Sequence, residues 1–268
     1  MDVMKIISWN VNGLRAVERK GALEEFLTMY RPDILLLQEI KGNAEQFSAD
    51  LTDHEAYQQY YHSAQKAGYA GTGVWVTRKF SRQCDAVTFH TDVPHLVNAD
   101  EGRVAHLQFT HVGTVYDVLS IYFPNGGKSI QAWKEKLLFY DGVLDYMNTL
   151  HAQGHVVIVG GDMNVAHQPI DLARPKDNDG KIGFHPDERA WMDRVIAAGW
   201  IDTWRMMHPE EVKYSWWNVV TRARERNVGW RIDYIFVHRD YQDHVRVSDI
   251  LTDVMGSDHC PVSIEYAL

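Results

Sequence analysis

The sequence has few cysteines and no long apolar run. Two cysteines, Cys84 and Cys260, occur in 268 residues, too few for a disulfide framework, and they match no zinc-binding spacing. No apolar run approaches the roughly 20 residues that span a membrane. The N-terminal stretch MDVMKIISWN lacks the basic start and long apolar core of a signal peptide. We therefore expect folded protein from the N-terminus onward, in the cytoplasm, with no membrane partner.

Positive charge is also scarce. The 27 Lys and Arg against 36 Asp and Glu give a formal net charge of −9, which argues against a protein that coats nucleic acid through bulk charge. A local basic face is compatible with this balance, because it can lie opposite a cluster of metal-binding carboxylates. The segment TRARERNVGWR is basic. Its charge alone favours a solvated loop, whereas Trp216, Trp217 and Trp230 beside it weigh against that interpretation.

Short apolar segments recur along the whole chain. Eight of them predict strands: MKIISWN, DILLLQE, GTGVWVTR, RVAHLQF, YDVLSIYF, HVVIVGGD, RIDYIFV and CPVSIEY. Three intervening segments predict helices: GALEEFLTMY, WKEKLLFYDGVLDYMNTLHAQG and HPDERAWMDRVIAAGW. Runs such as DILLLQE are typical of strands buried on both faces. We therefore expect an α/β protein in which residues 1–268 form one domain of two packed mixed sheets with helices outside.

Polar side chains stand at an end of six predicted strands. Each has an ordinary structural explanation: Asn12 before Gly13 suits a turn, Asp162 suits a helix N-cap, and His259 suits a buried, hydrogen-bonded histidine. Six occurrences of one pattern favour a shared site over six separate explanations. These residues are Asn10, Asn12, Gln38, Glu39, Tyr122, Asn125, Asp162, Asn164, Asp233, Asp258 and His259.

The oxygen ligands in this set suit a hard cation. Carboxylates and amides without thiolates favour Mg²⁺ or Mn²⁺. Mg²⁺ usually takes only one or two carboxylates and keeps water or substrate phosphate oxygens in its other positions. Glu39 and Asp258, with Asn10 or Asn12, would be sufficient.

The remaining side chains suit proton transfer. A carboxylate next to an amide, as with Asp162 and Asn164, can orient and deprotonate a water molecule. An imidazole held by a carboxylate, as with His259 and Asp233, presents a fixed donor. Together with a metal, these groups indicate metal-assisted hydrolysis of a phosphate ester.

The motifs also carry a family resemblance. SWNVNGLRA, LLLQEIK, GYAGTGVWV, EGR, YFPNG, GDMNVAH, YSWW, NVGWRIDY and GSDHCPV follow one another from end to end. In this order they resemble an exonuclease III-type apurinic/apyrimidinic (AP) endonuclease of the endonuclease/exonuclease/phosphatase superfamily. The resemblance implies a four-layer α/β sandwich of the deoxyribonuclease-I-like type, with two packed mixed β-sheets flanked by helices.

The resemblance assigns a role to each candidate residue. It implies that Asn10, Asn12, Glu39 and Asp258 hold the principal Mg²⁺, and that Asp162, Asn164 and His259 hold a second ion if there is one. It implies catalytic roles for Tyr122, Asp162, Asn164, Asp233 and His259. It implies DNA contacts by Arg103, Asn125, Lys128, Asn178, Arg222 and Arg224, with Trp216, Trp230 and Ile232 around an extruded, base-less deoxyribose.

The implied activity is Mg²⁺-dependent hydrolysis of the phosphodiester 5′ to an abasic site, leaving a 3′-hydroxyl and a 5′-deoxyribose phosphate. Exonuclease and end-cleaning activity at 3′ ends is implied as well, because the bond cleaved is equivalent. The implied cofactor is one or two ions of Mg²⁺ or Mn²⁺. The implied substrate is double-stranded DNA with abasic sites or blocked 3′ ends. The protein would act as a monomer, at the nucleoid in a prokaryote.

Two departures leave alternatives open. Asn12 stands where some relatives carry aspartate, and Lys181 and Ile182 stand where relatives carry asparagine and a small residue. If Ile182 faces the sugar pocket, it narrows that pocket and shifts the balance between abasic endonuclease and 3′-end activities; if its loop bulges away, it does not. The alternatives are a 3′–5′ exonuclease or damaged-base endonuclease of the same family, a superfamily phosphatase or sphingomyelinase, and an inactive DNA-binding scaffold.

Overall fold

The computed structural model describes residues 3–268, so Met1 and Asp2 of the N-terminal segment lie outside the described residues. The strands, in chain order, are β1 Val3–Asn10, β2 Ile34–Gln38, β3 Tyr57–His62, β4 Thr72–Thr77, β5 Ala86–His90, β6 Val104–His111, β7 Thr114–Tyr122, β8 Val156–Asp162, β9 Trp200–Asp202, β10 Trp216–Trp217, β11 Gly229–Trp230, β12 Asp233–His238, β13 Val245–Ile250 and β14 Val262–Ala267. The α-helices are α1 Leu14–Arg19, α2 Ala22–Tyr30, α3 Ala49–Thr52, α4 Arg78–Ser81, α5 Ile130–Ala152, α6 Pro175–Asn178, α7 Pro186–Ala197 and α8 Thr203–Met207.

Two six-stranded sheets form the centre of the fold. The first has the strand order β13-β14-β1-β2-β4-β3 and the second β5-β6-β7-β8-β12-β9. Both are mixed: β1 pairs parallel to β2 and β7 parallel to β8, whereas the other pairs within these sheets are antiparallel. The short strands β10 and β11 form a separate two-stranded ribbon.

Alternation along the central strands produces four layers. Ile6 packs into a core shared by both sheets, whereas its neighbour Ile7 packs into a second core with α1 and α2. On the second sheet, Ile158 faces the shared core and Val159 packs with α5 and α7. Because both faces of these strands are buried, their sequences are apolar at nearly every position. The expected four-layer sandwich is confirmed.

Helix ends follow the capping residues that the sequence offers. Ser129 caps α5 by accepting the Ala132 N–H, so this helix begins three residues before the predicted segment. Gly154 follows its end with φ 84°, a conformation that favours glycine. Pro186 opens α7 directly after the capping side chain of His185. All three predicted helices are present. No helix within residues 3–268 is both long enough and apolar enough to cross a membrane.

Candidate active site

The ends of central strands from both sheets meet at one place. Asn10 ends β1 and Glu39 follows β2 in the first sheet. Tyr122 and Asp162 end the parallel pair β7 and β8 and lie opposite each other in register. Asp233 begins β12 and lies opposite Asp162, because β12 runs antiparallel to β8. The topology therefore brings five of the candidate residues together from strands far apart in sequence.

Three non-glycine residues next to these strand ends adopt the left-handed backbone conformation. Asn12 has φ 46°, Glu39 has φ 51° and Asn164 has φ 51°. Such residues are uncommon and cluster at functional sites, because packing must hold them in place. Each turns the chain sharply just after a buried strand.

Asparagine side chains connect the carboxylates. The Asn10 Nδ2 donates to Glu39 Oε1 and to Asp162 Oδ2, both at 2.9 Å. The Asn12 Nδ2 donates to Asp258 Oδ1 at 2.8 Å. Asn10 and Asn12, both predicted as metal ligands, therefore lie at the carboxylate cluster. Their amide nitrogens, and not their amide oxygens, face the carboxylates.

The carboxylate cluster attracts cations. Glu39, Asp162 and His259 each offer a ligand atom, and these three atoms lie within 4.8 Å of one another. The Lys41 Nζ lies 2.7 Å from Glu39 Oε2. Burial raises the pKa of Glu39, but hydrogen bonds from Lys41 and Asn10 outweigh it, and the pKa is lowered. An ionised carboxylate cluster that already binds an ammonium fits a hard divalent cation.

Asp258 is the second ionised carboxylate of the cluster. Burial raises its pKa, but the charge of His259 and hydrogen bonds from Asn12 and Trp216 lower it below the usual value. The Trp216 Nε1 donates to Asp258 Oδ2 at 3.1 Å. Asp258 thus links the cluster to the aromatic residues next to it.

His259 is held by a carboxylate, as its sequence context suggested. Asp233 Oδ2 lies 2.9 Å from His259 Nδ1 and accepts the Ser215 hydroxyl at 2.6 Å. The His259 Nε2 lies 3.8 Å from Asp162 Oδ2. Burial lowers the pKa of His259, but the charges of Asp233, Asp162 and Asp258 together raise it to about 10. His259 is therefore a cation at neutral pH.

Asp162 is a buried carboxyl group whose pKa is also raised. It is 1% exposed, and burial, with the charges of Asp233 and Glu39, raises its pKa to about 7, although His259 opposes the shift. Its Oδ1 accepts the Asn164 main-chain N–H at 2.8 Å. This hydrogen bond is an Asx turn and not a helix cap, because the next helical turn in residues 3–268 begins only at Pro169. A carboxyl group with this pKa is suited to exchanging protons near neutral pH.

Tyr122 is neutral and is positioned by Arg103. Burial, with the charges of Glu39 and Asp162, raises the pKa of Tyr122 well above its usual value. The Arg103 guanidinium lies 4.9 Å from the centre of the Tyr122 ring and donates to the Tyr122 carbonyl at 3.1 Å. Arg103 is 3% exposed and also pairs with Glu101 at 2.6 Å. Arg103 thus reaches the site through Tyr122, and its expected contact with DNA stays a prediction.

A small aromatic cavity opens beside the cluster. It has a volume of about 250 Å³, and Trp216, Trp230 and Ile232 line it together with Asp162 and His259. The three residues expected around the sugar therefore line one cavity, next to the candidate catalytic residues.

Ile182 lines this cavity too, so its loop does not bulge away. The neighbouring Gly183 lines it as well, with φ 87°. A side chain at Gly183 would place a Cβ 3.1 Å from the Trp230 ring, so both this close approach and the positive φ favour glycine. The segment 182–183 therefore forms one wall of the cavity.

The other residues expected to contact DNA divide into two groups. Asn125, which donates to Asn164 Oδ1 at 3.3 Å, and Lys128, whose Nζ lies 4.7 Å from the Tyr69 ring centre, are exposed near the site. Arg222 is also exposed. These three side chains are free to meet a phosphate.

Asn178 and Arg224 instead bind the protein's own backbone. The Asn178 Nδ2 donates to the Arg174 carbonyl at 2.8 Å. Arg224 donates to the carbonyls of Thr252 at 2.6 Å and Val254 at 2.7 Å. Arg224 therefore braces the loop that precedes Asp258, and its expected phosphate contact stays a prediction.

Four residues of the site were not found from the sequence. Lys41 and Ser215 lie within the quoted motifs LLLQEIK and YSWW, so the signal was present. Lys136 lies in a helical segment whose pattern does not distinguish it from a solvated lysine, yet it is 0% exposed and pairs with Glu188, also 0% exposed. Lys136 Nζ donates to the Asn164 carbonyl at 3.0 Å. This buried ion pair therefore supports the loop that carries Asn164.

Known proteins resemble the chain along almost its whole length. The model of the Endonuclease/Exonuclease/phosphatase family matches residues 7–259. An exodeoxyribonuclease of Bacillus subtilis (strain 168) is 39% identical over 262 residues, covering 97% of this chain and 98% of that protein. A DNA-(apurinic or apyrimidinic site) endonuclease of Dictyostelium discoideum is 34% identical, covering 97% of this chain and 70% of that protein.

A solved structure agrees with both sequence comparisons. The AP endonuclease LMAP from Leishmania major superposes with a TM-score of 0.87 at 27% identity, covering 99% of this chain and 88% of that chain. The family match, the sequence identity and the fold all indicate the same family. The chain is therefore a member of the endonuclease/exonuclease/phosphatase family and, within it, a nuclease-type hydrolase of the exodeoxyribonuclease and AP endonuclease group.

Proposed function

We propose that this protein repairs DNA by hydrolysing the phosphodiester 5′ to an abasic site, leaving a 3′-hydroxyl and a 5′-deoxyribose phosphate. The observation that carries the proposal is that Asp162, His259 and Glu39 meet at the wall of an aromatic cavity. Cleavage of the equivalent bond at a 3′ end gives exonuclease and end-cleaning activity. The enzyme acts on double-stranded DNA, as a monomer in the cytoplasm.

Asp162 and Asn164 activate the attacking water. The pKa of Asp162, raised to about 7 by burial, matches the task of accepting a proton near neutral pH. As the water oxygen bonds to phosphorus, its proton passes to the Asp162 carboxylate. The bond from phosphorus to the 3′-oxygen breaks, and that oxygen leaves as the 3′-hydroxyl after taking up a proton. Asn164 orients the water, because its main chain and side chain lie against Asp162.

His259 and Tyr122 hold the scissile phosphate. The His259 imidazolium, fixed by Asp233, presents its Nε2–H to the same space as Asp162. Tyr122 is a neutral phenol that can donate a hydrogen bond without adding negative charge. Fixed donors of this kind stabilise the charge that develops on a phosphate in the transition state.

A divalent cation completes the site. Glu39 and Asp258 would hold Mg²⁺ or Mn²⁺, with Asn10 and Asn12 next to them. When bound, the ion would offset charge on the phosphate and on the leaving oxygen. A second ion at Asp162, Asn164 and His259 would bind the His259 Nε2 in its neutral form, because the Nδ1 lies against Asp233.

The cavity accepts the base-less sugar. Trp216, Trp230 and Ile232 offer an apolar surface to a deoxyribose. An abasic nucleotide has no base to unstack, so extruding it costs less than extruding an intact nucleotide. Ile182 lines the cavity, and this position favours a second candidate function, in which 3′-end cleavage exceeds abasic incision.

One experiment separates these functions. A labelled duplex with a central abasic analogue and a matched duplex with a recessed 3′ end are incubated with the protein, with and without Mg²⁺. We expect Mg²⁺-dependent cleavage of both, and loss of both by orders of magnitude in Asp162→Asn with DNA binding retained. Near-normal cleavage by Asp162→Asn, or cleavage that resists EDTA, would overturn the mechanism. Turnover of a phospholipid or inositol phosphate in place of DNA would identify a phosphatase, and absence of any turnover a DNA-binding scaffold.

A further inference from the structure

Two histidines and an aspartate lie together at the far end of β12. His151 is the penultimate residue of α5, His238 is the last residue of β12, and Asp240 lies in the 3₁₀ helix Arg239–His244. β12 begins at Asp233 in the candidate active site. At about 3.3 Å per residue, its two ends are roughly 17 Å apart. The three side chains therefore form a group separate from the catalytic one.

One carboxylate oxygen of this group faces both imidazoles. Asp240 Oδ2 lies 3.1 Å from His238 Nδ1 and 3.3 Å from His151 Nε2. The three atoms all lie within 4.8 Å of one another. Ligand atoms bound at about 2.0–2.1 Å around tetrahedral zinc are separated by roughly 3.3 Å. The two measured separations match edges of such a tetrahedron.

His238 presents an unprotonated nitrogen to the carboxylate. The Asp240 main-chain N–H donates to His238 Nδ1 at 3.4 Å, so this nitrogen carries a lone pair. A cation bound between this nitrogen and Asp240 Oδ2, which lie 3.1 Å apart, would take the place of that long hydrogen bond. The His151 and His238 rings stack on each other with their centroids 3.7 Å apart.

The surroundings hold both rings in place. Trp200 packs edge-on against them, with ring centroids 6.0 Å from His151 and 5.4 Å from His238. A side chain at Gly199 would collide with the His238 ring, so glycine leaves the space that this ring fills. His238 is 9% exposed, whereas the Asp240 side chain is 58% exposed. An ion can therefore enter from the Asp240 side.

We propose that His151, His238 and Asp240 bind a first-row transition-metal ion, with Zn²⁺ as the representative ligand and water in the fourth position. Two imidazole nitrogens and one carboxylate oxygen suit zinc and its neighbours, whereas Mg²⁺ prefers oxygen ligands throughout. The ligands come from the end of α5, the end of β12 and the helix that follows. A bound ion ties α5 to the second sheet and stabilises the folded state.

Calorimetric titration with zinc chloride in excess Mg²⁺ tests the site. The wild type, His151→Gln, Asp240→Asn and Glu39→Gln are compared, with His54→Gln as the matched control, because His54 faces one carboxylate, that of Glu24, at 3.9 Å. Loss of even an outer hydrogen-bond partner of a metal ligand weakens binding by about 10–100-fold. Loss of a ligand should weaken it by at least as much.

The expected result has a distinct pattern. The wild type, His54→Gln and Glu39→Gln bind one Zn²⁺ that Mg²⁺ does not displace, and Zn²⁺ raises their Tm. His151→Gln and Asp240→Asn keep the metal-free Tm of the wild type within a few degrees but lose both effects. Zinc binding unchanged in these two variants, or lost only in Glu39→Gln, would place the ion elsewhere and overturn the proposal. Absence of zinc binding by the wild type would overturn it as well.

Discussion

Replacement of Lys136 by methionine is expected to destabilise the protein strongly. Lys136 and Glu188 are both 0% exposed and form an ion pair, so the substitution leaves a buried carboxylate without its cation. Breaking a buried ion pair by removing one partner costs about 3–5 kcal/mol. At about 2–4 °C per kcal/mol for proteins of this size class, the Tm should fall by roughly 6–20 °C.

A double variant tests whether the stranded charge is the cause. In Lys136→Met with Glu188→Gln, neither member of the pair is charged, and the new amide oxygen can still accept the main-chain N–H groups of Gly183 and His185 that Glu188 binds. We expect at least half of the lost Tm to return. Lys134→Met is the matched control, because Lys134 is exposed on the same helix and its substitution should change stability by no more than about 0.5 kcal/mol.

Thermal unfolding by circular dichroism provides the first measurement, and cleavage of an abasic duplex below the Tm provides the second. Lys136 Nζ donates to the main-chain carbonyls of Asn125 at 3.1 Å and Asn164 at 3.0 Å. Lys136→Met should therefore also lower kcat, whereas Lys134→Met should not. Equal Tm values for Lys136→Met and Lys134→Met, or a double variant as unstable as the single one, would refute the reasoning.

Three further outcomes are expected. Burial raises the folded pKa of Asp162 from its usual 3.8 to about 7. Its favourable contribution to stability is therefore fully present below about pH 4 and is lost progressively as pH rises to about 7. Metal-free Asp162→Asn should melt above the wild type by more at pH 8 than at pH 4, and an equal shift at both would contradict this. Ser215→Ala removes the hydroxyl that donates to Asp233. The loss of this hydrogen bond, worth about 1–3 kcal/mol, should slow cleavage by roughly 5–150-fold. An unchanged kcat would show that Asp233 orients His259 without Ser215. Ile182→Ala widens the cavity and should raise abasic incision relative to 3′-end cleavage, and an unchanged ratio of the two rates would exclude Ile182 as a determinant.

The sequence predicted the central strands better than the outer ones. All eight predicted strands are present, and all eight lie at interior positions of the two large sheets. The strands β3, β5, β9 and β13 were not predicted, and these four are the edges of the two sheets. An edge strand is partly solvated and needs no continuous apolar run, so its sequence, such as YQQYYH in β3, gives a weak signal.

For the site, the sequence predicted the groups that we propose to react but not the residues that support them. Asp162, His259 and Glu39 were recognisable because charged or polar side chains directly after apolar strands are unusual. Lys136 and Glu188 were not, because a lysine and a glutamate in amphipathic helices normally face water. The side chain of Ile182 could face either way until the structure placed it on the cavity wall.

The sequence by itself determined the layers and the chemistry, since strand periodicity depends on which faces are buried and catalytic ability depends on residue type. Only the tertiary structure decided how the groups act on one another. Asp162 and His259 are separated by nearly a hundred residues, yet their charges are 3.8 Å apart, and pKa values depend on distance and burial. The same holds for His151, His238 and Asp240: each is an ordinary residue in the sequence, and only packing of α5 against β12 makes them a possible metal site.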